Sequence, residues 1–408
     1  MKFFRTLSIF LLAGVLVSCS DDDEIVIILG NMNIQLELET GLSDIPLNDI
    51  DLQATNSTDN SEYSATTDAN GLAIFENLPL GNYDITVIEA TDNYTISGSA
   101  TEISLLDSEI VTETITLSAT NPNATLVIKE VYSTGGSSAV LIRDQFIEIF
   151  NNSSEVIHAD GMYLANLFTP SSDNSVGDGL SGEDATNNVY ARDVVQFPGS
   201  GQDYPIQPSS SIVVAFNASD FTSDLLSTGI NNTDATLEIY SVEWLEANGG
   251  SGNTSFDSNN PDVENMTNIY IMQQISGFYS ISPSRPSIAL VSADASVSNS
   301  DVVIYTNPDI ASQTFPLVRI PVTQVVDGFE TLESDDLADY KVIPDDVDAG
   351  FAVISPDGSN PAFSGKSVIR KVDEVATARF GRTILLDTNN STVDFESIDA
   401  PDKYGYNN

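Results

Sequence analysis

Apolar residues recur at every second position in short runs along this chain, the spacing of strands that bury one face. Residues 125–166 show it most clearly. Leu126, Ile128 and Glu130 share one parity, while Val127, Lys129 and Val131 share the other. A turn at Gly135 and Gly136 follows, then Phe146, Ile147, Ile149 and Phe150 around Glu148, and a third piece from Gly161 to Asn166. This reads as the opening sheet of a main domain. Upstream, residues 32–38, 50–54, 72–75, 83–87 and 110–117 repeat the pattern with turn clusters between them, which predicts a small β-sandwich. The fold class is therefore all-β, with two successive sandwiches.

The N-terminus breaks the pattern. Lys2 and Arg5 precede an apolar run from Leu7 to Val17. That run falls short of the roughly 20 residues needed to span a bilayer and reads as a secretory signal peptide. It ends Leu16-Val17-Ser18-Cys19. This resembles the bacterial lipobox, which implies lipidation of Cys19 and a membrane anchor through that lipid. The acidic run Asp21-Asp22-Asp23-Glu24 resembles the export signal of Bacteroidota lipoproteins. The resemblance implies an outer-membrane protein facing the cell exterior.

Charge removes one class of function. Lys and Arg number 14 against 60 Asp and Glu, a net charge of -46 among 408 residues. Such a surface repels phosphate backbones, so no nucleic-acid partner is expected. Its simplest role is a solvated coat that resists aggregation. With one cysteine and one histidine, His158, the chain can form no internal disulfide and no Cys/His metal centre.

Two resemblances give the modules names. Asp68-Ala69-Asn70-Gly71, a strand, and then Pro79-Leu80-Gly81-Asn82-Tyr83 resemble the prealbumin-like, or carboxypeptidase-regulatory-like, repeat. That implies a spacer or interaction module at 31–119, after a signal peptide at 1–18 and an acidic tether at 19–30. Some such domains form Lys–Asn isopeptide bonds, but residues 31–121 contain no lysine. The segments at 126–132, 145–151 and 156–166, the Phe197-Pro198 section, residues 211–216, and the closing Gly365 to Arg370 and Asp387 to Phe395 stretches resemble a lamin-tail, immunoglobulin-like β-sandwich. The whole resembles an uncharacterised Bacteroidota surface lipoprotein family built on this plan. The larger domain then spans 125–396, with insertions near 218–286 and 307–365 and a C-terminal tail at 397–408. Residues 246–253 read as flexible and polar. Phe315 to Val322, interrupted by Pro316 and Pro321, reads as an edge strand or irregular cover.

Candidate chemistry is thin. His158 has no nucleophile motif beside it. Asp387, Asn389 and Asp394 form the densest oxygen cluster and are weak calcium candidates, with turn chemistry as the simpler account. Asp68 and Asn70 are read the same way. Tyr270, Phe278 and Tyr279 offer a sugar-stacking platform or core. No catalytic residue and no cofactor besides calcium is expected. The chain reads as a non-catalytic surface lipoprotein with a binding or accessory role beside an outer-membrane TonB-dependent receptor in nutrient capture, its partner being that receptor or an extracellular polymer. A structural or adhesion protein is the alternative, and a calcium- or carboxylate-dependent hydrolase a weaker one.

Overall fold

The computed structural model describes residues 28–38, 46–90, 95–108, 110–120, 126–136, 142–169, 186–222, 229–272, 278–307 and 310–406. Cys19 lies outside them.

Seven strands form the first module: β1 (Leu29–Leu38), β2 (Asp51–Asn56), β3 (Glu62–Thr66), β4 (Leu72–Pro79), β5 (Gly81–Ala90), β6 (Thr95–Leu105) and β7 (Ile110–Thr120). They lie in the order β3-β2-β5-β6-β7-β1-β4. Alternate residues of β1, namely Met32, Ile34 and Leu36, meet Leu52, Phe75, Tyr83, Ile85 and Leu117 in one core. The sequence pattern had not revealed β3 and β6. β3 is mostly polar. β6 carries Gly98, where a Cβ would stand 2.7 Å from a Leu117 methyl. The packing demands the one residue that strand propensity penalises.

β1 pairs antiparallel with β4 but parallel with β7, with Asn31 opposite Ile110 and Leu38 opposite Leu117. First and last strands that run parallel place the incoming and outgoing chain at opposite ends. At ~3.3 Å per residue, a ten-residue strand separates those ends by roughly 33 Å.

The larger module begins with β8 (Leu126–Tyr132), β9 (Phe146–Asn151), β10 (Ile157–His158), β11 (Tyr163–Leu167), β12 (Asn188–Gln196), β13 (Pro205–Ile206) and β14 (Ser211–Ala215). β15 (Leu237–Glu238), α1 (Val242–Ala247), β16 (Glu264–Asn265), β17 (Thr267–Ile271), β18 (Ser287–Val291), β19 (Val302–Thr306) and β20 (Thr314–Pro321) follow. β21 (Val325–Leu332), β22 (Ala352–Val353), β23 (Ser367–Arg370), α2 (Glu374–Phe380), α3 (Ser391–Asp394) and β24 (Phe395–Ile398) complete it. One sheet runs β16-β15-β14-β9-β8-β23-β24. The other runs β19-β20-β12-β11-β18-β21-β22, with β17 also on β12.

Between the sheets lie Leu126, Ile128, Val131, Ile147 and Ile149 from one side and Leu164, Val195, Leu290 and Phe329 from the other. Both sheets are also covered on their outer faces, by clusters around Val189 and Ile320 and around Phe146 and Val213. Double burial explains why β8, β9, β11 and β18 are buried at every residue. It also leaves the parity of β8 undecided from sequence. The register with β9 slips between Ile128 and Glu130. This bulge turns Val131 into the inter-sheet core and puts Glu130 opposite Glu148, correcting the simple alternation.

Two further expectations change. The inserted segments extend the sheets: β15 and β16 widen one and β17 the other, and residues 246–253 finish α1 and its turn. β20 is not an edge strand, because it lies between β19 and β12. Its prolines are tolerated by offset. Pro316 pairs only with β19 and Pro321 only with β12, the two ladders overlapping at Val318.

Phe329 is fully buried and packs edge-on against Phe395, 4.7 Å between ring centres. Phe329→Ala should cost about 3–5 kcal/mol. Ile304→Ala, at a side chain 57% exposed, should change stability by less than about 0.5 kcal/mol. Urea unfolding midpoints check both.

Candidate functional site

The calcium candidates fall on a buried arginine. Arg370 leaves β23 and points between the sheets, where Nη2 donates to both Asp327 oxygens at 2.9 and 2.7 Å. Nη1 donates to Asp387 at 3.2 Å and to Asp394 at 3.3 Å, and Nε donates to the Ile128 carbonyl at 2.8 Å. Asp327 also accepts the Ile128 N–H at 2.6 Å. Asp394 accepts N–H groups from Thr388 and Asn390, which folds the Asp-Thr-Asn-Asn-Ser segment around it. Burial alone would favour a neutral guanidine, but Asp327, Asp387 and Asp394 hold Arg370 protonated and raise its pKa. Asn389 stands apart: its backbone adopts φ +54° and its carbonyl accepts the Ala349 N–H. The positive charge among the clustered carboxylates is thus a guanidinium. Among the described residues no group of three or more His, Cys, Asp or Glu side chains could hold a metal ion.

A second buried charge cluster occupies the outer face of the β8–β9 sheet. Lys129 pairs with Glu148 at 2.7 Å, both fully buried. Ser211 also donates to Glu148. Residues 402–406, within the expected C-terminal tail, cover this cluster. Lys129 reaches the Gly405 carbonyl at 2.5 Å. The Tyr404 N–H donates to Glu148 and the Asp402 N–H to Glu130. Tyr406 lies over the Lys129 ammonium, 5.2 Å away. Burial raises the Glu130 carboxyl to about 7, against the hydrogen bonds it accepts.

Other carboxylates pin loops. Glu330 is buried and accepts N–H groups of Val342 and Ile343 at 2.9 and 3.0 Å, and the Ser287 hydroxyl. Burial raises it to about 7. Asp257 receives the Ser241 N–H and hydroxyl, and burial lifts it to about 6. Burial pushes Asp160 up as well, but N–H groups of Asp203, Tyr204 and Gly201 outweigh it and hold the carboxyl below the usual range. Asp68 accepts the N–H groups of Asn70 and Leu72, with Gly71 at φ +77°. That is an Asx turn.

His158 sits in the two-residue ladder opposite Pro205, half-buried, with a buried Nδ1 lacking a partner. Of the three proposed stacking rings, Tyr279 is core, packed edge-on against Phe216. Tyr270 is half-buried against Trp244 and donates to the Pro316 carbonyl. Phe278 is different. It stacks on Phe256 at 5.7 Å with a 20° interplanar angle. The Arg143 guanidinium lies 5.4 Å from the Phe221 ring and 5.7 Å from Phe256. Arg143 also donates to the Ser255 carbonyl. Sequence analysis missed this group, since its members come from four separate loops.

The position of that group follows from register. Leu126 pairs with Asn151 at one end of the β8–β9 sheet and Tyr132 with Phe146 at the other. The chain arrives from the first module at Leu126. Arg143, Phe221, Phe256 and Phe278 belong to the loops beyond Phe146 and Ala215, the far end. Seven residues at ~3.3 Å put the two ends roughly 20 Å apart.

These features define an all-β protein of two modules, in which the larger one encloses ion pairs between its sheets and gathers arginine and phenylalanine at one end. Residues 207–402 match a family described as a protein of unknown function, DUF4876, and residues 39–121 match the prealbumin-like fold domain SpaA. The chain thus carries a prealbumin-like domain followed by a larger module that is similar to DUF4876 over residues 207–402. A DUF4876 family protein from Bacteroides thetaiotaomicron is 20% identical over 92% of this chain and 97% of its own, with a TM-score of 0.57, which shows a common fold. The major pilin SpaD from Corynebacterium diphtheriae is 13% identical over 41% of this chain and 47% of its own, TM-score 0.17. BcpA, the major pilin subunit of Bacillus cereus, is 11% identical over 75% and 96%, TM-score 0.19. Scores that low support nothing about this chain. No curated protein matches it.

Arg370→Leu should cost about 3–5 kcal/mol, because Asp327 and Asp394 would be left buried without their counter-charge. Asp387→Asn, at a site 15% exposed, should cost about 1 kcal/mol or less, and millimolar calcium should leave the wild-type melting temperature unchanged. Denaturant and thermal melts check these. Stability should also depend on pH. Glu330 and Glu130 hold protons when folded that the unfolded chain has already lost near its ordinary 4.5. Their contribution is complete below about pH 4.5 and disappears as pH rises through about 7. The urea midpoint should therefore fall from pH 5 to pH 8. Glu330→Gln should remove part of that fall, up to roughly 3 kcal/mol, while leaving the pH 5 midpoint nearly unchanged.

Proposed function

We propose that this protein is a non-catalytic lipoprotein of the outer-membrane surface, anchored through Cys19, which carries a binding site at the far end of its larger module. It acts as an accessory in nutrient capture beside an outer-membrane TonB-dependent receptor. The Cys19 lipobox and its acidic follower support the address. The parallel β1–β7 pairing carries the rest of the reading, because it makes the first module an in-line spacer. An anchored chain that enters at one end and leaves at the other holds its next domain away from the membrane. The end of that domain remote from the linker carries Arg143 with Phe221, Phe256 and Phe278. Aromatic faces and a guanidinium are groups that dominate binding energy at recognition sites. Neither family description names a reaction, and the buried ionisable pairs have structural work: Arg370–Asp327 ties the two sheets, and Lys129–Glu148 holds the segment around Tyr404.

Labelled palmitate should enter the mature protein and be lost in Cys19→Ala, as read by gel autoradiography. The ectodomain should bind a ligand on glycan or receptor-loop arrays. Arg143→Ala with Phe256→Ala should weaken that binding at least tenfold, about 1.4 kcal/mol, without changing the far-ultraviolet circular dichroism. Turnover of any substrate by the purified ectodomain would contradict the non-catalytic reading.

A further inference from the structure

Large apolar side chains stand exposed at ten described positions. Four of them meet at the proximal end of the first module, where the chain arrives: Ile28 at 54%, Leu29 at 39%, Leu106 at 74% and Ile110 at 60%. The topology brings them together. Ile110 lies beside Asn31 at the start of the parallel β1–β7 pair. Leu106 follows Leu105, whose side chain packs directly onto Gly30. Scattered exposed apolar residues are ordinary, but a group at one end of a module in so acidic a chain marks a contact surface.

We infer that this apolar end rests on the surface of the lipid bilayer that holds the acyl chains of Cys19. The inference deepens the anchored-lipoprotein reading above and depends on it. The length of chain outside the described residues identifies the occupant. Eight residues lie between Cys19 and Ile28. Fully extended, they reach about 30 Å at most, so the apolar end never leaves the neighbourhood of the leaflet. The sequence over this stretch is ordered lipid site, four acids at Asp21 to Glu24, then Ile25-Val26-Ile27-Ile28-Leu29. The apolar character begins before the module does and continues onto its end. Ile28, Leu29, Leu106 and Ile110 gain by removing apolar area from water.

Charge specifies the kind of surface. Between Arg5 and Lys129 the sequence contains no lysine or arginine. The first module therefore has no cationic side chain with which to grip an anionic headgroup, and net-anionic lipid repels it. The contact is apolar and suits a neutral headgroup layer. It also sets direction, because the exit at Thr120 then points away from the membrane and carries the larger module outward.

The test uses the full lipidated protein in phosphatidylcholine vesicles. Acylation blocks Cys19, the single native cysteine, so Leu106→Cys, Ile110→Cys and Ile304→Cys each offer one free thiol for an environment-sensitive fluorophore. A nitroxide-bearing lipid should quench the labels at 106 and 110 at least twofold more than the label at 304, and iodide in the water should do the reverse. Adding an anionic lipid should reduce the lipid quenching at 106. A label at Asp107→Cys in the Leu106→Ser, Ile110→Ser background should fall to the level of 304. Equal quenching at all three sites in protein shown by mass to carry its lipid overturns the membrane contact. So does protection of the 106 label in lipid-free detergent accompanied by dimer-sized light scattering, which assigns the patch to a second copy. Absence of the acyl mass defeats the anchoring reading itself, a separate failure.

Discussion

Arg370 and Asp327 join the two sheets of the larger module, and much of that module is arranged to make their pairing tolerable. The two residues stand on β23 and β21, one in each sheet. Removing both charges from water is expensive, and the attraction between them repays the loss only when every remaining hydrogen-bonding position is filled. Here they are filled from all directions. Ile128 supplies both its carbonyl and its N–H, Asp387 and Asp394 share the guanidinium, and the Phe395 ring lies 4.5 Å from its centre. The segment from Asp387 to Asp394 would otherwise be a polar loop. It folds as it does because Asp394 must face Arg370 while accepting the Thr388 and Asn390 N–H groups.

The same logic extends to the rest of the acids. A net charge of -46 suggests a coat of solvated carboxylates, and many side chains fulfil that expectation. Others, such as Glu130, Glu148, Asp257 and Glu330, are inside. Each accepts main-chain N–H groups from another segment of the chain. A buried carboxylate offers more acceptor positions than any neutral side chain, so it can hold a loop with little hydrophobic area. The cost is desolvation, visible in the raised pKa values of Glu130 and Glu330. The C-terminal residues 402–406 show the trade most directly, since they close over Lys129, Glu130 and Glu148 together.

Direction is the other property the fold imparts. A first module with an odd number of hairpin returns would bring the chain back to its starting end. The parallel β1–β7 pair prevents this. The larger module continues the displacement, because β8 receives the chain at Leu126 and its opposite end carries the loops of Arg143 and Phe256.

Periodicity and turn chemistry were enough to read the fold class and most strands of both modules. Local signals of that kind survive in sequence because they act within a few residues. The Asx turn at Asp68 and the strands at β1, β5, β7 and β9 were legible for this reason. What only the tertiary structure decided depends on partners distant in the chain. The bulge at Lys129 sends Glu130 toward Glu148, strand offset shelters Pro316 and Pro321 inside a sheet, and Gly98 is required by a Leu117 methyl. Likewise Asp387 and Asp394 read in sequence as turn residues and weak calcium candidates, and folding places between them a guanidinium from a different strand. A carboxylate's neighbours in the chain set its turn, but its counter-charge comes from whatever the packing brings within about 3 Å, and nothing local encodes that.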